Sequence, residues 1–194
     1  MPLYDRTFPN FTLFPTTNTL DQLIRFMKKQ GRIRFFFLLL LIGTVAHAQN
    51  KSIYTNLAAN YCRTIEEEGD YYLGVCSGIA GYKLEVSAVD LRESITIIFP
   101  SGERQGLDFL RISAGFSSLG TKAEWRMKGT VPIALIIRFN AQVDYDKIIS
   151  YLIVIKLAKN SACIINIVNP SKTQNQQAQQ LADAAFTKPC KALE

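Results

Sequence analysis

The stretch GFSSLGTKAEWR, residues 115–126, contains the side chains best suited to chemistry. It holds hydroxyls, two cations and the only tryptophan of the chain, and the candidate residues are Ser117, Ser118, Lys122, Trp125 and Arg126. Hydroxyls and cations beside an aromatic face suit a sugar or an anionic group on a partner. We therefore predict that these residues bind a ligand. The alternative is a tight loop over residues 115–120 that leads into a strand, with Trp125 in the core.

Catalysis by a serine or cysteine nucleophile has little support in this sequence. Ser118 and Lys122 do not match the S-x-x-K spacing of serine–lysine hydrolases. The only histidine, His47, lies in a predicted leader, so the mature chain has no imidazole for a catalytic triad or a metal site. We predict no metal site and no cofactor, and a non-enzymatic role is favoured.

Three carboxylates support an alternative function, hydrolysis of an envelope polysaccharide. The candidate residues are Asp144, Asp146 and Glu124. Such an enzyme needs two carboxyl groups about 5–10 Å apart across one cleft. Asp144 and Asp146 also fit a solvated loop, and the full EF-hand pattern for calcium is absent.

The stretch MKKQGRIRFFFLLLLIGTVAHAQ, residues 27–49, has the parts of a secretory signal peptide. A basic block precedes an uncharged apolar run, which ends at the small residues of an A-x-A cleavage site. The run covers about eleven residues, whereas a membrane-spanning helix needs about twenty. We therefore predict a signal peptide over residues 27–48, a periplasmic or secreted location, and no permanent membrane span in the mature chain.

Residues 1–26 precede this signal, although a signal peptide is expected at the start of a chain. We therefore predict that Met27 is the initiator and that residues 1–26 are a start-site artefact. A genuine, disordered N-terminal extension is the alternative. The mature part, residues 49–194, has a length that suits a single β-rich domain with one core.

Positive charge is concentrated in the leader. The chain has formal net charge +6, but residues 1–48 contain six Lys and Arg against two Asp and Glu, a net +4. Residues 49–194 contain sixteen against fourteen, a net +2. No phosphate-neutralising patch is evident in the mature part, so we predict no nucleic-acid partner. The acidic run at residues 66–68 is interpreted as a solvated turn or as a contact for a basic partner.

All four cysteines lie in the mature part, at Cys62, Cys76, Cys163 and Cys190. An even count after an export signal indicates two disulfides. We favour Cys62 with Cys76 and Cys163 with Cys190, because each pair closes a short loop. Each bridge is then expected to contribute about 3 kcal/mol. A zinc site is the alternative, but the sequence has no C-x-x-C.

Hydrophobic patterning predicts closely spaced strands. They cover residues 71–76, 82–87, 94–99, 107–112, 122–127, 133–139, 149–158 and 162–168. Turns or loops are predicted at 66–70, 115–120, 140–147 and 159–161. Strands this close leave no room for crossover helices, so a parallel sheet is not expected.

A single helix is predicted after Pro170. Thr173 and Gln176 fit a capping box, and apolar residues at 178, 181, 182, 185 and 186 fall at helical spacing before Pro189. The predicted fold class is mainly β. It is an antiparallel β-sandwich or a small barrel of seven to eight strands with one C-terminal helix.

Several segments resemble a group of small exported bacterial proteins of unassigned function. They are residues 61–64 (YCRT), 71–74 (YYLG) with Cys76, 81–82 (GY) with 84–86 (LEV), and 115–126. The resemblance covers most of residues 54–190. It implies a bacterial extracytoplasmic setting and no particular activity. The layout of an exported, disulfide-bearing β domain is also similar in architecture to the periplasmic lysozyme inhibitors.

These observations predict a non-catalytic extracytoplasmic binding domain or an inhibitor-like domain. The lack of histidine in the mature chain, the paired cysteines and the braced β fold support it. The expected partner is an unknown envelope protein or glycan. The alternatives are the carboxylate-based hydrolase and a structural envelope component, which a large exposed apolar patch would favour.

Overall fold

A computed structural model describes residues 50–193, together with Asp21 and Arg25. The predicted signal peptide, with His47 and Met27, lies outside the described residues, as does nearly all of the segment 1–26. The chain divides into two compact units, Met1–His47 and Ala48–Glu194. All elements below belong to the second unit.

The second unit contains ten strands, one α-helix and three short 3₁₀ turns among its described residues. The strands are β1 (Lys51–Asn56), β2 (Cys62–Glu68), β3 (Tyr71–Ser77), β4 (Lys83–Val89), β5 (Arg92–Ile98), β6 (Arg104–Leu107), β7 (Ser117–Lys128), β8 (Val131–Asp144), β9 (Lys147–Ala158) and β10 (Ser161–Val168). The helix is α1 (Gln174–Asp183), and the 3₁₀ turns span Ala59–Tyr61, Phe109–Arg111 and Ala185–Thr187.

The ten strands form one mostly antiparallel sheet that is not closed. The order across the sheet is β10-β9-β8-β7-β5-β4-β3-β2, while β1 pairs with β7 and β6 pairs with β5. Within the described residues, the parallel pairing is limited to Arg92 beside Ser117, between β5 and β7. The predicted fold class is confirmed, with ten strands rather than seven or eight.

Alternation along each strand separates a buried inner face from an outer face. On β7, Ala123, Trp125 and Met127 belong to the core, whereas Lys122 and Glu124 line a cavity on the other face. Inner side chains of β4 and β5 share this core with those of β8, β9 and β10. Because strands that are far apart in the sheet enclose one core, the sheet folds over itself.

The two halves of the sheet meet again where β6 approaches the edge strand β10. The side-chain amide of Gln105 accepts a hydrogen bond from the N–H of Ala162 at 2.9 Å and donates to its carbonyl at 2.6 Å. Further along β10, the N–H of Lys191 donates to the carbonyl of Ile164 at 2.7 Å. These bonds satisfy backbone groups of an edge strand, which otherwise can template pairing with another chain.

Helix α1 lies on the outer face and buries a second, smaller core. The sheet contributes Ala134, Ile136, Leu152, Val154, Ile165 and Val168, and the C-terminal segment contributes Ala178, Ala182 and Ala185. Ala178 and Ala182 are one helical turn apart, so they present a narrow stripe of small side chains to the sheet. This stripe lets the helix approach the strands closely.

Two disulfides brace the domain, and the predicted pairing is observed. Cys62 on β2 faces Cys76 on β3 and is bonded to it. Cys163 on β10 is bonded to Cys190, which lies beyond α1. No cysteine of the described residues is free. Two such bonds are compatible with an oxidising, extracytoplasmic location.

Three predicted loops or turns are partly strand. The acidic residues 66–68 continue the exposed edge strand β2, and only residues 69–70 turn. Exposed charge on an edge strand discourages pairing with other chains, which explains its polarity. The predicted loops 115–120 and 140–147 belong largely to β7 and β8, because their polar side chains lie on the outer face rather than in a loop.

Two other predictions on local structure are wrong. The predicted strand 107–112 is a 3₁₀ turn over Phe109–Arg111 after the short strand β6. The predicted capping box is absent, since Thr173 makes no side-chain capping bond and its hydroxyl instead accepts from Nε2 of Gln177 at 2.9 Å. The helix ends at Asp183, and Phe186 is 94% exposed rather than buried.

Candidate functional site

Three hairpin turns lie at one end of the sheet, at residues 69–70, 90–91 and 145–146. The segment that leads into β7 holds two of them together. The N–H of Ser117 donates to the carbonyl of Leu91 at 3.0 Å, and the N–H of Gln142 donates to the carbonyl of Phe116 at 2.8 Å. The hairpins at 90–91 and 145–146 are therefore tied to one another through this segment by backbone hydrogen bonds.

Gly115 permits this close approach. A Cβ atom on Gly115 would lie 2.3 Å from the carbonyl oxygen of Gln142, which is too close for any side chain. Arg92 adds a second tie, because its Nε donates to the carbonyl of Ala114 at 3.1 Å. The segment before β7 is thus fixed from both sides.

Large apolar side chains are exposed at this end of the sheet. We define the hairpin-end surface by Val89, Leu91, Leu110, Phe116, Val143, Tyr145 and Ile148. Phe116 lines a cavity of about 310 Å³ together with Leu91 and Ile148, and it lines a neighbouring cavity together with Val143. Leu91, Phe116 and Ile148 thus form one exposed apolar group around a cavity, the kind of surface feature that marks interaction sites.

Leu91 has a backbone conformation that is unusual for its residue type. Its φ is 58°, and that of Asp90 is 49°, so both turn residues lie in the left-handed region. A two-residue hairpin turn of this hand favours glycine or asparagine, and another residue there costs about 1 kcal/mol. The Leu91 side chain is 60% exposed, so core packing does not offset this cost. Strain of this kind is typical of functional sites.

The hairpin-end surface has an acidic border. Its carboxylates are Asp70, Asp90, Glu93, Asp108, Asp144 and Asp146, and its cations are Arg92, Arg111 and Lys147. Six negative and three positive groups give a formal charge of −3. The surface therefore combines an apolar centre with a negative border.

A second feature lies on the outer face beside α1. It is a cavity of about 200 Å³, which we call the helix groove. Its lining comprises Tyr54, Lys122, Glu124, Ile136, Arg138, Leu152, Asn175 and Gln179. Burial, together with the negative charge of Glu124, raises the pKa of Tyr54 above its ordinary value, so its phenol remains a proton donor at neutral pH.

A chain of hydrogen bonds connects the two features. Nδ2 of Asn140 donates to the hydroxyl of Ser118 at 3.4 Å, and the hydroxyl of Ser150 donates to Oδ1 of Asn140 at 2.8 Å. Nη1 of Arg138 then donates to the hydroxyl of Ser150 at 2.9 Å. The outer faces of β7, β8 and β9 are thus joined by side chains from one feature to the other.

The five predicted binding residues do not form one site. Ser117 and Ser118 line the cavity at the hairpin end, whereas Lys122 lines the helix groove. The prediction that Trp125 contacts a ligand is wrong, because Trp125 is fully buried and its indole N–H donates to the hydroxyl of Thr55 at 2.9 Å. The alternative interpretation is observed in part, because Trp125 lies in the core whereas residues 117–120 of the expected loop belong to β7.

Arg126 is also unavailable to a ligand. Its guanidinium is buried, and both Nε and Nη2 donate to the carboxylate of Asp183 at 2.8 Å. Nη2 also donates to the carbonyl of Asn50 at 3.1 Å, and Nη1 donates to the hydroxyl of Ser52. Arg126 therefore joins β7 to β1 and to the end of α1.

Glu124 lies far from the other two carboxylates of the alternative hydrolase. Asp144 and Asp146 are at the β8–β9 turn, whereas Glu124 pairs in register with Ile136 on β8. Asp144 and Ile136 are eight positions apart along β8, which at about 3.4 Å per residue corresponds to about 27 Å. Asp144 lines a cavity at the hairpin end and Glu124 lines a different one, so these carboxylates do not face each other across one cleft.

Several residues of the two features were not identified from the sequence. Leu91 gave no signal, since a leucine does not normally mark a left-handed turn. Arg138 was not identified because it lies within an apolar strand. Gln179 was not identified because it is one of several glutamines on a polar helix face. Phe116 was inside the selected stretch. Its position between Gly115 and Gly120, in a predicted loop, could have identified it as an exposed apolar side chain.

A cavity of about 600 Å³ lies at the opposite end of the sheet. Tyr82, Pro100, Val131 and Leu157 are among the residues that line it, and Lys159 is its one charged group. The hydroxyl of Tyr82 donates to the carbonyl of Ala158 at 3.4 Å. We assign this cavity no ligand.

Comparison of the chain with models of protein families, with curated proteins and with solved structures finds no match. In the described part of the chain, no helix has the length and apolar character needed to cross a bilayer. Side chains of the kinds that hold metals form no group of three or more within the same residues.

Proposed function

We propose that this protein is a non-catalytic extracytoplasmic binding domain that docks on an envelope protein, as an inhibitor does, through its hairpin-end surface. The observation that carries the proposal is the set of seven exposed apolar side chains at one end of the sheet, where two hairpins are tied by backbone hydrogen bonds. Loops that are already ordered lose little conformational entropy when they bind. A strained, exposed leucine on one of these hairpins supports the same conclusion.

A binding role fits the chemistry of the mature chain better than catalysis. The only histidine precedes residue 49, and both pairs of cysteines form disulfides. Asp144 and Glu124 line different cavities. The basic and apolar leader, together with the two disulfides, supports an extracytoplasmic location.

The partner should have a concave, basic surface. Leu91 and Tyr145, at the tips of two hairpins, are 60% and 94% exposed and can enter apolar pockets of a partner. Tyrosine is frequent among the residues that dominate binding energy at interfaces. The acidic border around the surface favours cationic partners and speeds their encounter.

A capture experiment with matched variants tests this function. Purified wild-type protein is immobilised, exposed to envelope extract, and compared with the double variant Phe116→Ser/Ile148→Ser. The control is Val131→Ser/Ile65→Ser, which removes exposed apolar side chains from other parts of the sheet. Retained proteins are identified by mass spectrometry and tested for inhibition by the free protein.

The expected result is a specific envelope protein retained by wild type and by the control, with loss of about tenfold or more for the hairpin-end variant. Equal loss in both variants would show that the site is misassigned. Retention of only further copies of the same chain would favour a structural envelope component instead. Absence of any retained protein would refute the binding function.

A further inference from the structure

We propose that the helix groove is a second binding site, which takes a single sugar unit that carries a carboxylate. This inference does not depend on the proposed function. The groove lies on the outer face beside α1, and its lining shares no residue with the cavities of the hairpin-end surface.

Two cations in the groove have no carboxylate partner. Within residues 50–193, neither Lys122 nor Arg138 has an acidic oxygen within 4.0 Å, although Glu124 lines the same groove. Glu124 instead accepts hydrogen bonds from Ser52 and Gln179 and lies 3.8 Å from Arg126. The groove therefore retains two positive charges that an anionic ligand can neutralise.

Arg138 is held in place, yet it has two donors left. Its Nη1 donates to Ser150 at 2.9 Å and to Gln174 at 3.3 Å, and its Nη2 donates to Asn175 at 3.4 Å. Of its five N–H groups, Nε–H and one on Nη2 donate to no described residue. Nε and Nη2 are the same pair that Arg126 uses to bind the carboxylate of Asp183. This fork matches a carboxylate with two parallel hydrogen bonds.

A bulge in β7 brings Lys122 beside Arg138. The register between β7 and β8 passes from Leu119 opposite Phe139 to Ala123 opposite Ile137, so three residues of β7 face Arg138 alone. One of them is Gly120, where a Cβ would lie 2.7 Å from Cβ of Arg138. Bulges are common beside functional sites, where they redirect a side chain. Here the bulge places both cations on the outer face.

The remaining groups in the groove suit a sugar ring better than a small inorganic anion. Tyr54 is 55% exposed, and its aromatic ring is available for stacking. Nδ2 of Asn175 and Oε1 of Gln179 make no hydrogen bond to another described residue, so one donor and one acceptor are available for hydroxyls. The volume of about 200 Å³ is below the usual range for drug-sized ligands, about 300–1,000 Å³, which limits the ligand to one ring.

Nuclear magnetic resonance titration of the purified protein with glucuronate tests this site. Glucose, acetate and inorganic phosphate are titrated separately at the same ionic strength. Lys122→Met removes one cation, and Arg138→Lys retains the charge but removes the fork. Lys128→Met is the matched control, because Lys128 is an exposed lysine on the same strand outside the groove.

Glucuronate is expected to shift the amide signals of Lys122, Arg138 and Asn175 in a saturable manner. Lys122→Met should weaken binding about fivefold and Arg138→Lys about tenfold, while Lys128→Met should bind as wild type does. Glucose that binds as tightly as glucuronate would refute the role of the carboxylate. Acetate or phosphate that binds equally well would refute recognition of the sugar. Signal changes elsewhere, or none, would refute the site.

Discussion

Nε and Nη2 of Arg126 each donate to the carboxylate of Asp183 at 2.8 Å, which joins the middle of the sheet to the last residue of α1. The guanidinium is buried, so its charge depends on this partner. The ion pair sets the position of the helix over the sheet. The helix in turn forms one wall of the groove, through Asn175 and Gln179.

Asp183→Asn is expected to destabilise the protein by about 2–3 kcal/mol. The buried guanidinium then keeps only Glu124, 3.8 Å from Nη1, as an acidic neighbour, so the loss is smaller than the about 3–5 kcal/mol of a fully uncompensated buried charge, and partial exposure of Asp183 reduces it further. Urea unfolding followed by circular dichroism measures the change. The control Asp146→Asn removes an exposed carboxylate from a turn and should change stability by less than about 0.5 kcal/mol. Equal effects of both substitutions would contradict the structural role of the pair.

Leu91→Gly is expected to stabilise the protein by less than about 1 kcal/mol, because the relief of strain exceeds the added conformational entropy of the unfolded chain. Glycine adopts a positive φ without steric cost, and the exposed leucine contributes little packing. The measurement is the midpoint of thermal unfolding. The control Val131→Gly, in the extended strand β8, should lose stability. Loss of stability in Leu91→Gly would show that the turn is not strained.

Alternation with period two located most strands, because apolar side chains on one face leave a clear signal. The predicted pairing of the four cysteines followed from their short loops. The hairpin-end surface and the helix groove could not be predicted from the sequence, because each arises from contacts between segments that are far apart in the chain. Arg138 meets Lys122 only because β7 bulges, and Leu91 meets Phe116 only because Gly115 lets two hairpins approach. Local patterns do not report such long-range placement.

Gly115→Ala is expected to destabilise the protein by about 1–3 kcal/mol, because the new methyl group overlaps the carbonyl oxygen of Gln142. The loss should be accompanied by faster amide exchange at the hairpin end. Gly106→Ala is the matched control, since its Cβ would lie 3.6 Å from the hydroxyl of Thr96, an ordinary contact. Similar stability of the two variants would contradict the close packing of this segment.

Loss of the Cys163–Cys190 disulfide should cost more than loss of Cys62–Cys76. The loops span 27 and 14 residues, so the chain-entropy model gives about 3 kcal/mol for each bridge and about 0.6 kcal/mol more for the longer loop. Double alanine variants are compared by denaturant unfolding under oxidising conditions. Loss of the Cys163–Cys190 bridge, which closes the longer loop, should also increase amide exchange at Lys191, whose N–H donates to the carbonyl of Ile164. Unchanged exchange there would contradict the bracing of the C-terminal segment.

Tyr82 should ionise at a higher pH than a tyrosine in the unfolded chain, because its burial raises the pKa of the phenol. The folded state disfavours the phenolate, so this contribution to stability is present below the unfolded pKa of about 10 and is lost as the pH rises through the higher folded value. Ultraviolet titration of the folded protein should therefore show a late component, that is, phenols that ionise at a higher pH than those of the unfolded chain.

Tyr82→Phe should reduce that late component and leave the part due to Tyr54, whose pKa is also raised. The urea-unfolded protein provides the reference, in which all phenols titrate together. An unchanged late component in Tyr82→Phe would contradict the burial of this side chain.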